Sequence, residues 1–181
     1  MAFVPGTNAA KHYILAFIRS SQVVEWGHYT WKENIPLGRK EIKQMYTQLI
    51  KQYAVDTDNV IIGGMSQDGM MSIDIALNKI ILVRGLIVFC PSKPESFNDE
   101  KIKEALQRGL KGTIIAGEND LKWIPDAKEM ATIFKEFKFS NRFIIIPGMG
   151  HDLPKDSKEQ IDAAIDHINL CQKSKGRKVE K

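Results

Sequence analysis

Short, continuous apolar runs alternate along this chain with stretches whose apolar residues recur at steps of three and four. Tyr13-Ile-Leu-Ala-Phe-Ile18 is the first run, the pattern of a strand covered on both faces. A polar loop with Trp26, Tyr29 and Trp31 follows. Helical spacing then begins near Leu37 and continues through Ile42, Met45, Tyr46, Leu49, Ile50 and Tyr53. Val60-Ile-Ile62 is a second strand and enters Gly63-Gly64-Met65-Ser66, after which Met70, Ile73, Ile75 and Leu77 mark a helix. Leu82–Phe89 is a third strand, with a helix near Asp99–Arg108 behind it. Gly112–Ala116 is a fourth. Pro125, a residue suited to a first helical turn, opens a helix through Met130, Ile133, Phe134 and Phe137. Arg142–Ile146 is the fifth strand, and a last helix from about Asp156 packs Ile161, Ala164, Ile165 and Ile168. This alternation predicts right-handed crossovers and an α/β fold of three layers, a mostly parallel sheet with helices on both faces.

In such sheets ligands sit beyond the carboxyl ends of the strands, so the residues just after each strand carry the candidate chemistry. The second strand ends in Gly64-Met65-Ser66-Gln67-Asp68-Gly69. A serine at a tight strand-to-helix turn is held with its hydroxyl above the sheet, and small neighbours let the backbones approach. The usual G-x-S-x-G pattern reads G-x-S-x-D here, with glycine one place late at Gly69. The fourth strand ends in Gly117-Glu-Asn-Asp120, where a carboxylate can accept the Nδ1–H of a histidine and fix its tautomer. The fifth ends in Pro147-Gly-Met-Gly-His151, a histidine in a glycine-bracketed loop. Taken singly, the serine is a helix cap, the aspartate a turn former and the histidine a surface residue. Arriving in the order nucleophile, acid, base beyond successive strands, they read as one constellation.

Composition narrows the picture. The 181 residues suffice for one domain, which we place at 1–172, with a basic tail at 173–181 that is expected to be disordered. The tail holds five basic and one acidic side chain, which is the whole net charge of +4. The remainder balances and offers no basic stripe for nucleic acid. No apolar run is long enough for a membrane helix, and no signal peptide is evident at the start, so a cytoplasmic location is expected. Cys90 and Cys171 are too few for a disulfide framework and lack metal-ligand spacing, so both read as buried thiols, and neither a cofactor nor a metal is expected.

The chain resembles the carboxylesterase/phospholipase-type branch of the α/β-hydrolases. The resemblance rests on Ser20-Ser21-Gln22, Trp31, Ile61-Ile-Gly-Gly-Met-Ser66-Gln, Gly117-Glu-Asn-Asp120, Ile124-Pro125 and Pro147-Gly-Met-Gly-His151, and covers about residues 12–170. It implies Ser66 as nucleophile, His151 as general base, Asp120 as its orienter and the backbone N–H of Gln67 as an oxyanion donor. Trp26, Trp31, Met65 and Trp123 are expected to line a shallow acyl pocket suited to a small ester or thioester.

Two departures accompany it. The sheet of this fold normally has a strand between the one placed at 13–18 and the one ending at Gly64, and the loop after it supplies a second oxyanion donor. The chain is expected to lack these N-terminal strands. Asp68, for its part, sets a negative charge two residues from the nucleophile. A catalytically weak or inactive hydrolase-fold binding protein is therefore the alternative to an esterase, and an open sheet edge makes a homodimer possible. A nucleotide-binding domain is the other rival, but G-x-G-x-x-G and a Gly-Lys-Ser/Thr pair are missing.

Overall fold

Four strands form the sheet, in the order β1-β2-β3-β4 and all parallel. The computed structural model describes residues 7 and 9–170, the side chains of 9, 10 and 26 excepted. The basic tail and Cys171 lie outside the described residues. The strands are β1 (Ile61–Met65), β2 (Gly85–Phe89), β3 (Lys111–Gly117) and β4 (Asn141–Ile146). The helices are α1 (Ala9–His12), α2 (Ile35–Gln52), α3 (Gln67–Leu77), α4 (Asp99–Gln107), α5 (Ile124–Glu136) and α6 (Ser157–Asn169). Helices α2 to α6 begin and end within a few residues of where the apolar pattern places them, and Asn34 and Asn98 cap α2 and α4 with their side-chain oxygens.

The sequential strand order dictates the layers. Right-handed crossovers that always step in one direction put every crossover helix on one face. Accordingly α3, α4 and α5 share a core with Leu86, Val88, Ile114 and Ala116, and α2 joins it through Ile42. The other face is covered by α6, whose Ile161, Ala164 and Ile168 pack on Ile87, Phe89 and Ile115. β3 is buried along its whole length, as a parallel strand between two helical layers should be. Lys111 enters it buried and turns its ammonium onto the carbonyls of His167 and Ile168 at the C-terminal end of α6. That end of a helix favours a cation.

One expected strand does not form. Residues 13–18 carry no ladder hydrogen bonds, and Ile14 and Phe17 stand 54% and 59% exposed. An apolar run specifies a willingness to be covered, whereas a strand also needs a neighbour for its N–H and C=O groups. β1 is the edge of the sheet on that side, and no described segment lies between it and residues 13–18 with a strand's hydrogen bonds. The other correction is local. The strand expected at Val60–Ile62 starts at Ile61 and runs on to Met65, so Gly63 and Gly64 belong to the sheet and pair with Ile87 and Val88. No described helix is long and apolar enough to cross a membrane.

Candidate active site

The four strand ends deliver Ser66, Cys90, Asp120 and His151 to one edge of the sheet. Ser66 follows β1 directly, with φ 55° and ψ −120°. For a residue with a Cβ this is a strained backbone, of the kind proteins retain where it aims a side chain. Its N–H donates to Phe89 O at 2.9 Å and its carbonyl accepts from Met70 N at 2.9 Å, so the turn is pinned from both sides. Its hydroxyl does not cap α3, which sets aside the simplest structural use of a serine here. Gln67 opens α3, where N–H groups have no acceptor within the helix and the dipole is positive.

The displaced glycine has a geometric explanation. A Cβ on Gly64 would stand 2.5 Å from the Cβ of Asp68 and 2.7 Å from its carbonyl carbon. A Cβ on Gly69 would stand 3.1 Å from Gly64 O and 3.2 Å from Pro91. The turn therefore uses Gly64 and Gly69 as its close pair, and position 68 is free to carry a side chain. Asp68 uses that freedom to accept the indole N–H of Trp31 at 2.8 Å. Gln67 does likewise, its Oε1 accepting from Thr30 Oγ1 at 2.8 Å and Trp31 N at 3.1 Å. Both residues after the serine thus clamp the loop that precedes α2. Partial burial pushes the Asp68 carboxyl above its usual range, and the Trp31 hydrogen bond opposes that shift.

Asp120 and His151 are joined, His151 Nδ1 lying 2.7 Å from Asp120 Oδ2. The carboxyl is almost fully buried whereas the imidazole is 34% exposed, so the pair faces outward through the histidine. Both loops are stitched together independently of this contact. Glu118 N donates to Ile146 O at 3.0 Å, Asn119 N to Met149 O at 2.8 Å, and Gly148 N to Glu118 Oε2 at 2.9 Å. Gly117 makes the stitching possible, because a Cβ there would lie 2.2 Å from Gly150 O.

Cys90 bridges this pair to the serine. It follows Phe89, whose carbonyl holds Ser66, and its Sγ reaches Asp152 O at 3.6 Å and Gly150 O at 3.9 Å, the carbonyls on either side of His151. Its backbone is also strained, with φ 43°. Burial pushes the Cys90 thiol up, so at neutral pH it is a thiol and not a nucleophilic thiolate.

No family model matches the chain, and no curated protein matches it by sequence. Among solved structures, an uncharacterized protein from Bacillus cereus ATCC 10987 superposes with a TM-score of 0.80 at 29% identity, over 90% of this chain and 52% of its own. The Bacillus cereus carboxylesterase superposes with a TM-score of 0.64 at 17% identity, over 83% of this chain and 73% of its own. A carboxylesterase from Mesorhizobium loti gives 0.65 at 17% identity, over 80% and 71%. The chain has the α/β-hydrolase fold. It spans about half the length of the first of these structures. Its four-stranded parallel sheet carries Ser66, Cys90, Asp120 and His151 beyond successive strand ends.

The expected pocket residues divide. Met65 packs on the α6 side of this α/β-hydrolase sheet, against the cluster of Ile87 and Phe89. Trp31 is buried in the larger core, 5% exposed, where it serves Asp68 and α2 and does not line an open pocket. Trp123 is half-buried at the start of α5, with the ammonium groups of Lys122 and Lys32 4.7 and 5.0 Å from its ring. The Trp26 side chain lies outside the described residues. Sequence reasoning passed over Cys90 as a site residue. Its place at a strand end, equivalent to those of Ser66, Asp120 and His151, is the signal that points to it.

Proposed function

We propose that this protein is a serine hydrolase of the carboxylesterase type, acting on a small ester or thioester. The observation that carries this reading is the strained turn at Ser66, set at a strand end whose neighbours deliver a hydrogen-bonded Asp–His pair. Asp120 accepts the Nδ1–H of His151, which leaves Nε2 with its lone pair facing outward. Nε2 takes the Ser66 proton as Oγ adds to the substrate carbonyl. The carbonyl oxygen becomes an anion at the positive end of α3, where the N–H of Gln67 receives it. Collapse returns the proton from His151 to the leaving alcohol or thiol and leaves an acyl group on Ser66. Water, deprotonated by the same histidine, releases the acid. Trp123 lies just beyond Asp120 at the start of α5, and the two lysines over its ring add positive charge there.

The test is intact mass after incubation with a fluorophosphonate, with mapping of the labelled peptide. One adduct on Ser66, lost in Ser66→Ala, is the expected result. Folded protein that takes no adduct overturns the reading and makes a binding role on a hydrolase scaffold the better account.

Asp68 provides a second, graded prediction. Its charge opposes an oxyanion forming at the N-terminus of α3, and an asparagine keeps an oxygen for the Trp31 N–H. Asp68→Asn is expected to speed phosphonylation of Ser66 about three- to tenfold, the effect of about 1 kcal/mol of screened repulsion. A rate that is unchanged or lower means the oxyanion forms out of reach of that charge.

A further inference from the structure

Cys90 Sγ, an Asp120 carboxylate oxygen and a His151 ring nitrogen all lie within 4.8 Å of one another. They come from the ends of β2, β3 and β4, which are neighbours in the sheet, so the convergence is fixed by the strand pairing. We propose that these three side chains form a binding site for a divalent metal ion of the zinc class, and that its occupancy silences Ser66.

The donor set selects the metal. A thiolate, an imidazole and a carboxylate together suit a borderline-soft ion and are poor ligands for magnesium or calcium, which take oxygen. A tetrahedral zinc site spaces its ligand atoms about 3.3–3.6 Å apart, given metal–ligand bonds of about 2.0–2.3 Å. The 2.7 Å contact between Nδ1 and Oδ2 has to open by under about 1 Å. Cys90 gives up little on binding, since its thiol contacts with the carbonyls of Gly150 and Asp152 are long, 3.9 and 3.6 Å, and its neighbour Asp120 is itself a ligand of the proposed site. Cys90 and Asp120 are 1% and 4% exposed, which shelters two ligands from water, whereas the partly exposed imidazole leaves a side open for entry and for a fourth ligand.

The inhibitory part rests on the proposed role of Ser66 and His151. On binding, the thiol proton leaves to solvent and the thiolate bonds the metal. The imidazole stays neutral, but its proton moves from Nδ1 to Nε2 so that the Nδ1 lone pair can bond the metal. The ion's two positive charges are balanced by thiolate and carboxylate. With Nε2 now carrying a proton, His151 can no longer accept one from Ser66. The ion thus blocks the histidine without occupying the substrate site.

The binding test uses the full chain, stripped with chelator, and Co²⁺ or Zn²⁺ alone. Expected with Co²⁺ is one equivalent bound, with a thiolate-to-metal charge-transfer band that is absent in Cys90→Ser. Zn²⁺ affinity, read by competition with a chromophoric chelator, is expected to fall in Cys90→Ser by more than the roughly 10–100-fold that loss of an outer-shell partner costs. His151→Gln, at an exposed position, is expected to lose affinity similarly and guards against a folding defect at Cys90. No band from folded protein, or a band that persists in Cys90→Ser, overturns the site. Zn²⁺ is further expected to stop fluorophosphonate labelling of Ser66, reversibly with chelator, whereas Cys90→Ser is labelled at one rate with and without Zn²⁺. Cys90-dependent binding that leaves labelling unslowed overturns the inhibitory part alone. Should Ser66 take no probe under any condition, the hydrolase reading fails, and the band and the affinities still decide the site.

Discussion

Asp120→Asn is expected to leave the protein folded and to slow both ester turnover and phosphonylation of Ser66 by about 10⁴-fold, the cost of the wrong histidine tautomer in a Ser-His-Asp triad. In the proposed mechanism the carboxylate, which can only accept, holds the proton of His151 on Nδ1 across the 2.7 Å contact and leaves Nε2 free as a base. An asparagine can offer its amide N–H to Nδ1 instead, which moves the ring proton to Nε2. Water cannot easily repair the defect, because position 120 is 4% exposed. The fold should tolerate the change, since the backbone of Glu118 and Asn119 and the carboxylate of Glu118 already tie the two loops together. Equal melting temperatures beside a rate loss of four decades is the expected pair of observations. A loss of only a few-fold with Ser66 still labelled would mean that His151 does not act through Asp120.

What the sequence made legible, and what it hid, follows from the range of the interactions involved. β2 and β3 lie buried between two helical layers, and their burial writes itself into the chain as apolar runs, Leu86–Phe89 and Ile114–Ala116. The Ser66 turn and the Asp120 and His151 loops were legible because each sits immediately after such a run. Residues 13–18 misled because the run reports apolar character, whereas pairing depends on a neighbour far away in sequence. Gly63 and Gly64 misled in the opposite sense. Glycine reads as a loop, yet a Cβ on Gly63 would lie 2.3 Å from Ile87 O, so the strand requires its absence. Trp31 sits in a polar loop and looked like a pocket wall; its partner Asp68 is 37 residues on, beyond any local pattern. Cys90 was hidden for the same reason. Its neighbours Asp120 and His151 are 30 and 61 residues away, so no ligand-spacing motif could have flagged the cluster.

The largest expected loss of stability lies behind the site, at the ion pair of Arg39 and Asp74. Asp74 sits on α3 with its side chain 4% exposed, and Arg39 reaches it from α2 in a fork, Nε to Oδ2 and Nη2 to Oδ1, both at 2.7 Å. Ser96 Oγ donates to Oδ1 at 2.6 Å and Asn78 Nδ2 to the same oxygen at 3.0 Å. The guanidinium is held above its usual range, chiefly by the hydrogen bonds to Asp74, with burial opposing. The two partners are unequal, because Arg39 keeps 31% of its side chain in water and Asp74 almost none. Removing Asp74 lets the guanidinium turn outward, so Asp74→Leu is the milder change. Removing Arg39 strands a buried carboxylate on two neutral donors, and Arg39→Met is expected to cost about 3–5 kcal/mol. For a domain of this size that lowers the melting temperature on the order of 10 °C. Because α3 also carries Ser66 at its head, the same variant should show slower labelling at temperatures near its transition. The double variant Arg39→Met/Asp74→Leu is expected to recover most of the loss, since apolar groups of similar volume replace a buried pair at little cost. Denaturant unfolding of the three variants measures this directly. If Arg39→Met costs under about 1 kcal/mol, the pair behaves as an exposed one, and α2 is held to α3 by its apolar contacts alone.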